Sequence, residues 1–465
     1  MPKQRIFNIG SLNLKLNPLA LKEGDMIRCL NVENDVFGAK KKRPGYTTYL
    51  ASIGGTVTSL FNWTRNDGTT LYNYAMSGGS LYYSTQGTGD WTICGNGTFT
   101  DGARLGYAVL EDTMIVGDGT AATRHTTDGT SFTNTTSAPI ANYFTEYQNR
   151  IWAGGTSSNL FYSTTGTPTD WVTDSTSIAI PGPGRINSVF KAADRVIISK
   201  NSGEMFRWDG YNLADLSTDL GPTSPWSIGD VEDYKFYLNR QGYFGFNGDL
   251  PELVSNPIEK QIYNDNNEGI TGGTFNLAPG IVHKYDYFAA VGTVTDDLTD
   301  ETIARAVHKF DYQLSDWGNF EFNVLPTAFG TYNDVNGDRQ LIFGDNTGQC
   351  YTYGGTNTTD NGVTINAVME FVIHGGAPES DKKWNYCTFH FNPGVQAKVQ
   401  VAPANTFTKG KKNWVDLGDC SDGVAEFKPS SMRSKLLFVK IYEASRNARF
   451  QFYGFSYDYD VIEKK

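Results

Sequence analysis

The sequence predicts an all-β chain: a β-propeller of seven blades followed by a β-sandwich or jelly-roll-like domain. Three observations carry this. A hairpin word recurs along most of the chain. Its copies are spaced like propeller blades. The composition is rich in glycine and aromatics, and no long helical pattern is present.

The clearest copies of the word are Ser80-Leu81-Tyr82-Tyr83-Ser84-Thr85, followed by Asp90-Trp91, and Asn159-Leu160-Phe161-Tyr162-Ser163-Thr164, followed by Asp170-Trp171. Each reads as a strand, a polar reversal and an aromatic on the returning strand. Weaker copies end at Thr126, Trp208, Phe246, Phe310 and Tyr353, each before a Gly- or Asp-containing turn. Taken with Ser84 and Ser163, these markers lie 42, 37, 45, 38, 64 and 43 residues apart. Five of the six intervals are close to the roughly 40–45 residues of a four-stranded blade. The long one contains the acidic run from Thr295 to Glu301, which reads as a loop inserted in one blade. A second hairpin precedes each marker, with a polar reversal at Glu111-Asp112, Ala193-Asp194 and Glu232-Asp233. Two hairpins per repeat make a four-stranded unit.

Aromatics at 14% and 50 glycines suit pleated faces joined by tight turns. The net charge of −11 argues against a protein that grips nucleic acid by its phosphates, which takes clustered Lys and Arg, but not against a surface that DNA slides past. The five cysteines are odd in number and lack metal-type spacing, so reduced, buried thiols are expected. No apolar window is long enough to span a membrane, and the chain reads as made in a cytoplasm.

Three regions follow in order. Residues 1–50 lie outside the repeat and are expected to form an N-terminal arm. The arm ends in Lys40-Lys41-Lys42-Arg43-Pro44-Gly45, where Pro-Gly marks a turn. Four adjacent cations in an acidic chain read either as a solvated turn keeping an edge strand soluble or as a docking patch for an acidic neighbour. Residues 51–360 hold the propeller. Residues 361–465 have longer strands, and the last changes phase at Tyr453-Gly454, where a β-bulge would restore the inward face.

No catalytic motif stands out: no nucleophile elbow, no phosphate loop and no paired zinc histidines. His125, His283, His308, His374 and His390 sit apart on expected strands. The turn Thr126–Phe132 looks like a degenerate Asp-box, whose Asp caps a turn and does no chemistry. The runs Asp334–Asp338 and Asn264–Gly269 have oxygen ligands that could hold Ca²⁺, but an Asn-Gly type turn accounts for them better. No cofactor or metal is expected.

The order of features carries a resemblance. Asn17-Pro18, Gly24-Asp25, Asn31 and Arg43-Pro44-Gly45 lead into a weakly repetitive propeller. Then come Ser255-Asn256-Pro257-Ile258-Glu259-Lys260-Gln261-Ile262, the hairpin Phe310–Trp317 and a terminal β-domain. This layout resembles the tail nozzle or hub proteins of short-tailed bacteriophages, the packaged-DNA stabilisation and tail-tubular B group. The resemblance implies a non-enzymatic virion component: a homo-hexameric ring beneath the portal and adaptor rings, next to tail fibres or spikes, with double-stranded DNA passing through its channel. Under this reading Lys40, Lys41, Lys42 and Arg43, with Lys409, Lys411 and Lys412, are candidates for subunit or neighbouring-ring interfaces. The alternatives are a propeller lectin or receptor-binding tail protein using rim aromatics such as Trp91, Trp171 and Trp208, and a propeller glycosidase or sialidase. The regular place of these tryptophans favours packing between blades, and the glycosidase reading needs a rim cluster of arginines or carboxylates that the sequence does not display.

Overall fold

A computed structural model describes residues 4–462 except 8, 16–19, 36–37, 86–88, 175, 232–233, 263–269, 271–274, 296–301, 335, 407–409, 411, 421, 429–431 and 446–449. The chain is all-β, with helix confined among these residues to short turns.

Six blades are each built from four consecutive antiparallel strands, within 57–98, 106–134, 141–179, 186–217, 229–253 and 280–321. The next unit is composite: strands Ala328–Asn333, Arg339–Gly344 and Cys350–Tyr353 are completed by Tyr46–Tyr49, which pairs in four rungs with Cys350–Tyr353. Blades are numbered 1 to 7 in this order. The ring is therefore closed by a segment that the sequence placed outside the repeat. Ser84, Thr126, Trp208, Phe246, Phe310 and Tyr353 all lie on third strands, and Ser163 directly follows one. The acidic run lies between the second and third strands of blade 6, with 296–301 outside the described residues. Much of the extra length in that interval lies elsewhere, in the link between blades 5 and 6, which holds the turns Asn256–Ile258 and Glu259–Ile262.

Two-residue turns join the first and second strands of several blades. At Glu111-Asp112, Gln148-Asn149 and Ala193-Asp194 both residues have positive φ, near +50°. This geometry matches the right-handed twist of the flanking strands, at a steric cost to residues with a Cβ.

Residues 1–50 do not form a free arm. Gln4–Ile6, Val32–Asn34 and Lys40–Lys42 join Lys382–Phe391, Val424–Phe427, Arg433–Ser434 and Gln451–Val461 in one sheet of the C-terminal sandwich. Met26–Leu30 enters the other sheet, antiparallel to Ala367–Ile373 and parallel to Asp316–Glu321 of blade 6. That sheet thus runs unbroken through nine strands, from blade 6 into the sandwich. A single apolar core follows the same path: Phe236, Tyr243, Tyr287 and Trp317 of the propeller pack in one cluster with Met26, Phe371, Trp384, Phe389 and Phe455. The expected bulge is present. Pairing slips between His390 and Phe391 opposite Tyr453-Gly454, and Gly454 has φ +149°.

Candidate functional site

The inner strands of all seven units line an axial cavity of about 440 Å³. Arg104 narrows one end. Its guanidinium donates to the carbonyls of Leu277 (2.7 Å) and Thr327 (2.9 Å) and lies 5.7 Å from the Trp226 ring, which in turn packs 5.7 Å from Tyr143. These groups come from segments leading into or lying on the inner strands of blades 2, 3, 5, 6 and 7: Arg104 of blade 2 reaches blades 5, 6 and 7 itself, and blade 3 joins through Trp226. Burial pushes its pKa down to about 10. Towards the other end the lining includes Lys191, Lys235 and Arg339, with Asp230 3.0 Å from Lys235. The turns that follow the inner strands lie on the face at that end. There Asp67, Glu111, Asp194 and Asp338 are exposed and Asp112 is half-buried beside Arg65 (3.1 Å), while Lys284 and Arg339 are exposed on the same face, so charges of both signs are interspersed there.

The basic segment sits elsewhere, between propeller and sandwich. Lys40, Lys42 and Arg43 are 2%, 1% and 0% exposed. Lys40 pairs with Asp316 of blade 6 at 2.5 Å, and Lys42 with Glu443 of the sandwich at 2.7 Å. All five N–H groups of Arg43 are used: on Asn31 Oδ1, on the carbonyls of Pro44 and Glu321, and on both carboxylate oxygens of Asp360 at 2.8 and 2.6 Å. Its guanidinium also lies 4.7 Å from the Phe322 ring. Lys41, on the opposite face of the strand, is partly exposed and contacts Asp35 at 3.2 Å and Glu33 at 3.5 Å. The exposed docking patch expected here is therefore corrected: in a strand, alternate residues face opposite ways, and three of the four cations are braces inside one chain. Reversing Lys40, Lys41 and Lys42 to Glu would set buried like charges against Asp316 and Glu443 and break the fold, rather than loosen docking alone. Lys412 is likewise turned inward, near Glu370 (4.0 Å) and 4.8 Å from the Phe438 ring, while Lys409 and Lys411 lie outside the described residues.

Each histidine has its own surroundings. His308 is buried and shares a 2.9 Å hydrogen bond with the Tyr243 hydroxyl, and burial lowers its pKa to about 3. Burial likewise lowers His283 to about 4 and, more mildly, His125, which sits 3.0 Å from Thr135 Oγ1. His374 lies 3.4 Å from Glu23, and His390 packs against Phe7. No group of three His, Cys, Asp or Glu among the described residues is arranged to hold a metal. The five thiols are free and buried, and burial raises their pKa to about 12. Asp128 accepts from the Thr130 and Ser131 amides, and Asp334 from those of Asn336 and Asp338, so both carboxylates close their own turns. Asn264–Gly269 lies outside the described residues. Trp171 is buried and donates to the Pro168 carbonyl, Trp208 packs beside Trp152, and Trp91 packs beside Tyr49. All three serve clusters between blades.

Sequence reasoning missed Arg104 and the acid partners of the basic segment. Asp316, Asp360 and Glu443 lie 276 to 401 positions away from their cations, and no local pattern links them. Arg104 had a weak signal, a lone cation directly before an apolar inner strand.

No family model matches the chain, and no curated protein matches it. Among solved structures it is similar to YCF48 from Cyanidioschyzon merolae, at 12% identity and TM-score 0.43 over 66% of this chain and 98% of that one. It is also similar to a chain of the mitotic checkpoint complex, at 10% identity and TM-score 0.46 over 67% and 93%. A third is the computationally designed Ika8 protein, at 8% identity and TM-score 0.39 over 66% and 99%. At these values the likenesses carry no functional argument, and the propeller assignment stands on the sheets themselves. No helix among the described residues is long and apolar enough to cross a membrane.

Proposed function

We propose that this chain is a structural subunit of a short-tailed phage tail, forming with its copies the nozzle or hub ring that retains packaged DNA and through which DNA leaves. One observation carries the reading: apart from Asn17-Pro18, which lies outside the described residues, the short words behind the family resemblance meet at one place, the junction of propeller and sandwich. Arg43 caps the junction through Asn31, which accepts from Arg43 Nε and donates to the Asn366 carbonyl. Gly45 packs so closely on Thr359 that a Cβ would lie 1.9 Å from its carbonyl oxygen. The Pro257 carbonyl accepts from Leu14, and Ile258 and Ile262 enter the common core. Trp317, at the end of the Phe310–Trp317 hairpin, donates its amide N–H to Ser11 Oγ and its indole N–H to the Val254 carbonyl.

A junction braced by buried ion pairs and a continuous sheet suits a subunit that must hold its shape under a load of confined DNA. The net charge of −11 fits a wall that phosphates pass without sticking. The adaptor ring and the tail fibres or spikes are the partners this role calls for. The test is the mass of the purified chain in solution together with electron micrographs: a ring of six supports the reading, and a monomer that binds glycans on an array replaces it with the lectin.

A further inference from the structure

One sandwich sheet has two complementary edges that no other strand covers among the described residues. Among the described residues, Val424–Phe427 bounds one side and pairs only with Lys382–Phe391, and Gln4–Ile6 bounds the other and pairs only with Gln451–Val461. Both edges stand at the same level. The rows across the sheet read Gln4–Tyr457–Cys387–Phe427, Arg5–Ser456–Thr388–Glu426 and Ile6–Phe455–Phe389–Ala425. A fourth row runs from Phe7, packed beside Gly454, through His390 to Val424. Arg433–Ser434 and Lys40–Lys42 pair at other levels of the long strands and leave these rows clear.

We propose that these edges join in successive copies, Gln4–Phe7 of one chain adding as a fifth strand beside Val424–Phe427 of the next. The occupant is a second copy of this chain, for three reasons. First, the four strands alternate in direction, so a translated copy presents its first strand antiparallel to the last, as the sheet requires. Second, hydrogen-bonding parity agrees. Phe391 donates to the Gly423 carbonyl, and alternation from that rung turns the main-chain groups of Val424 and Glu426 outward on one edge, and those of Arg5 and Phe7 on the other. Third, the rows match chemically. Arg5 would meet Glu426, both exposed; Phe7 at 51% exposure would meet Val424 at 55%; and Ile6 would extend the apolar row that ends at Ala425. The contact is head-to-tail, the kind that generates rings when its rotation closes. Closure into six rests on the ring reading above; the edge pairing does not.

The experiment uses the full chain. Arg5→Glu and Glu426→Arg are made singly and together, and assembly is followed by sedimentation and electron microscopy, with thermal melting to confirm folding. Each single reversal is expected to weaken assembly by about tenfold or more, and the double reversal to recover most of the loss. A second variant, Arg5→Cys with Glu426→Cys, is oxidised. Within one copy these positions are three strand spacings, roughly 14 Å, apart, too far for a disulfide, so crosslinking reports contact between copies. A ladder of linked chains is expected. Rings that persist in both single variants with no ladder overturn the edge pairing and leave the ring reading standing. Edge-dependent dimers or open filaments overturn the ring reading and leave the edge pairing standing. A wild-type chain that stays monomeric overturns both.

Discussion

Replacing Arg43 with Ala tests whether the basic segment is an internal brace. The substitution removes five hydrogen bonds and leaves Asp360, 3% exposed, as a buried carboxylate with no counter-ion. Stranding one partner of a buried pair costs about 3–5 kcal/mol. At about 2 °C per kcal/mol, the low end for a large domain, the melting temperature falls by roughly 6–10 °C. Arg43→Lys keeps the charge but loses the planar fork that grips both oxygens, and is expected to cost roughly half as much. The double replacement Arg43→Met with Asp360→Leu removes both charges and is expected to recover most of the loss, because two apolar groups leave nothing unpaired. Scanning calorimetry of wild type and these variants, with Arg43→Met and Asp360→Leu also made singly, reads all of this in one series. An Arg43→Ala melting point within about 2 °C of wild type, or a double variant as damaged as the two single losses added, would refute the brace.

Gly454→Val is expected to cost at least about 1–3 kcal/mol, since φ is +149° there and a Cβ would lie 2.3 Å from the Ile6 carbonyl oxygen; an unchanged denaturation midpoint counts against it. Asp194→Gly should stabilise blade 4 by about 0.5–1 kcal/mol, because Asp194 holds φ +53° in an exposed turn with only a 3.8 Å contact to Lys191 to lose. Asp170, like Asp67, is held at a pKa of about 2 by two backbone amides. A depressed carboxylate stabilises the fold above its unfolded pKa and stops doing so as pH falls through the folded value. The melting difference between wild type and Asp170→Ala should therefore be full at pH 7 and shrink between about pH 4 and pH 2; a constant difference across that range would show the carboxylate charge to be irrelevant.

Local periodicity made the blades legible. The third-strand word recurs because every blade repeats one pleated surface between two neighbours, so Leu81 and Leu160, both fully buried, occupy equivalent places. The Gly454 bulge was legible for the same reason: a change of phase within one strand is a local event. Closure was not. Tyr46–Tyr49 is an ordinary four-residue strand, and its partner lies about 300 residues further on. The continuity of blade 6 with the sandwich turns on one parallel rung, Leu30 with Asn319, which no pattern in either strand announces.

The basic run shows why a local signal can point the wrong way. Adjacent cations suggest a solvated surface because isolated burial of charge is costly. Here each buried cation meets its own carboxylate, and most of those come from another part of the fold. Glu370, itself 2% exposed, likewise faces Arg28 at 3.2 Å, Lys440 at 3.6 Å and Lys412 at 4.0 Å. Pairing of this kind has a consequence at the surface. Each internal pair withdraws one cation and one anion, so the net charge of −11 stays while the cations left outside become fewer. The chain with the longest basic run in its N-terminal region thus presents little of that run to solvent. Under the ring reading proposed above, each cation withdrawn in this way would leave one fewer to hold a passing polyanion.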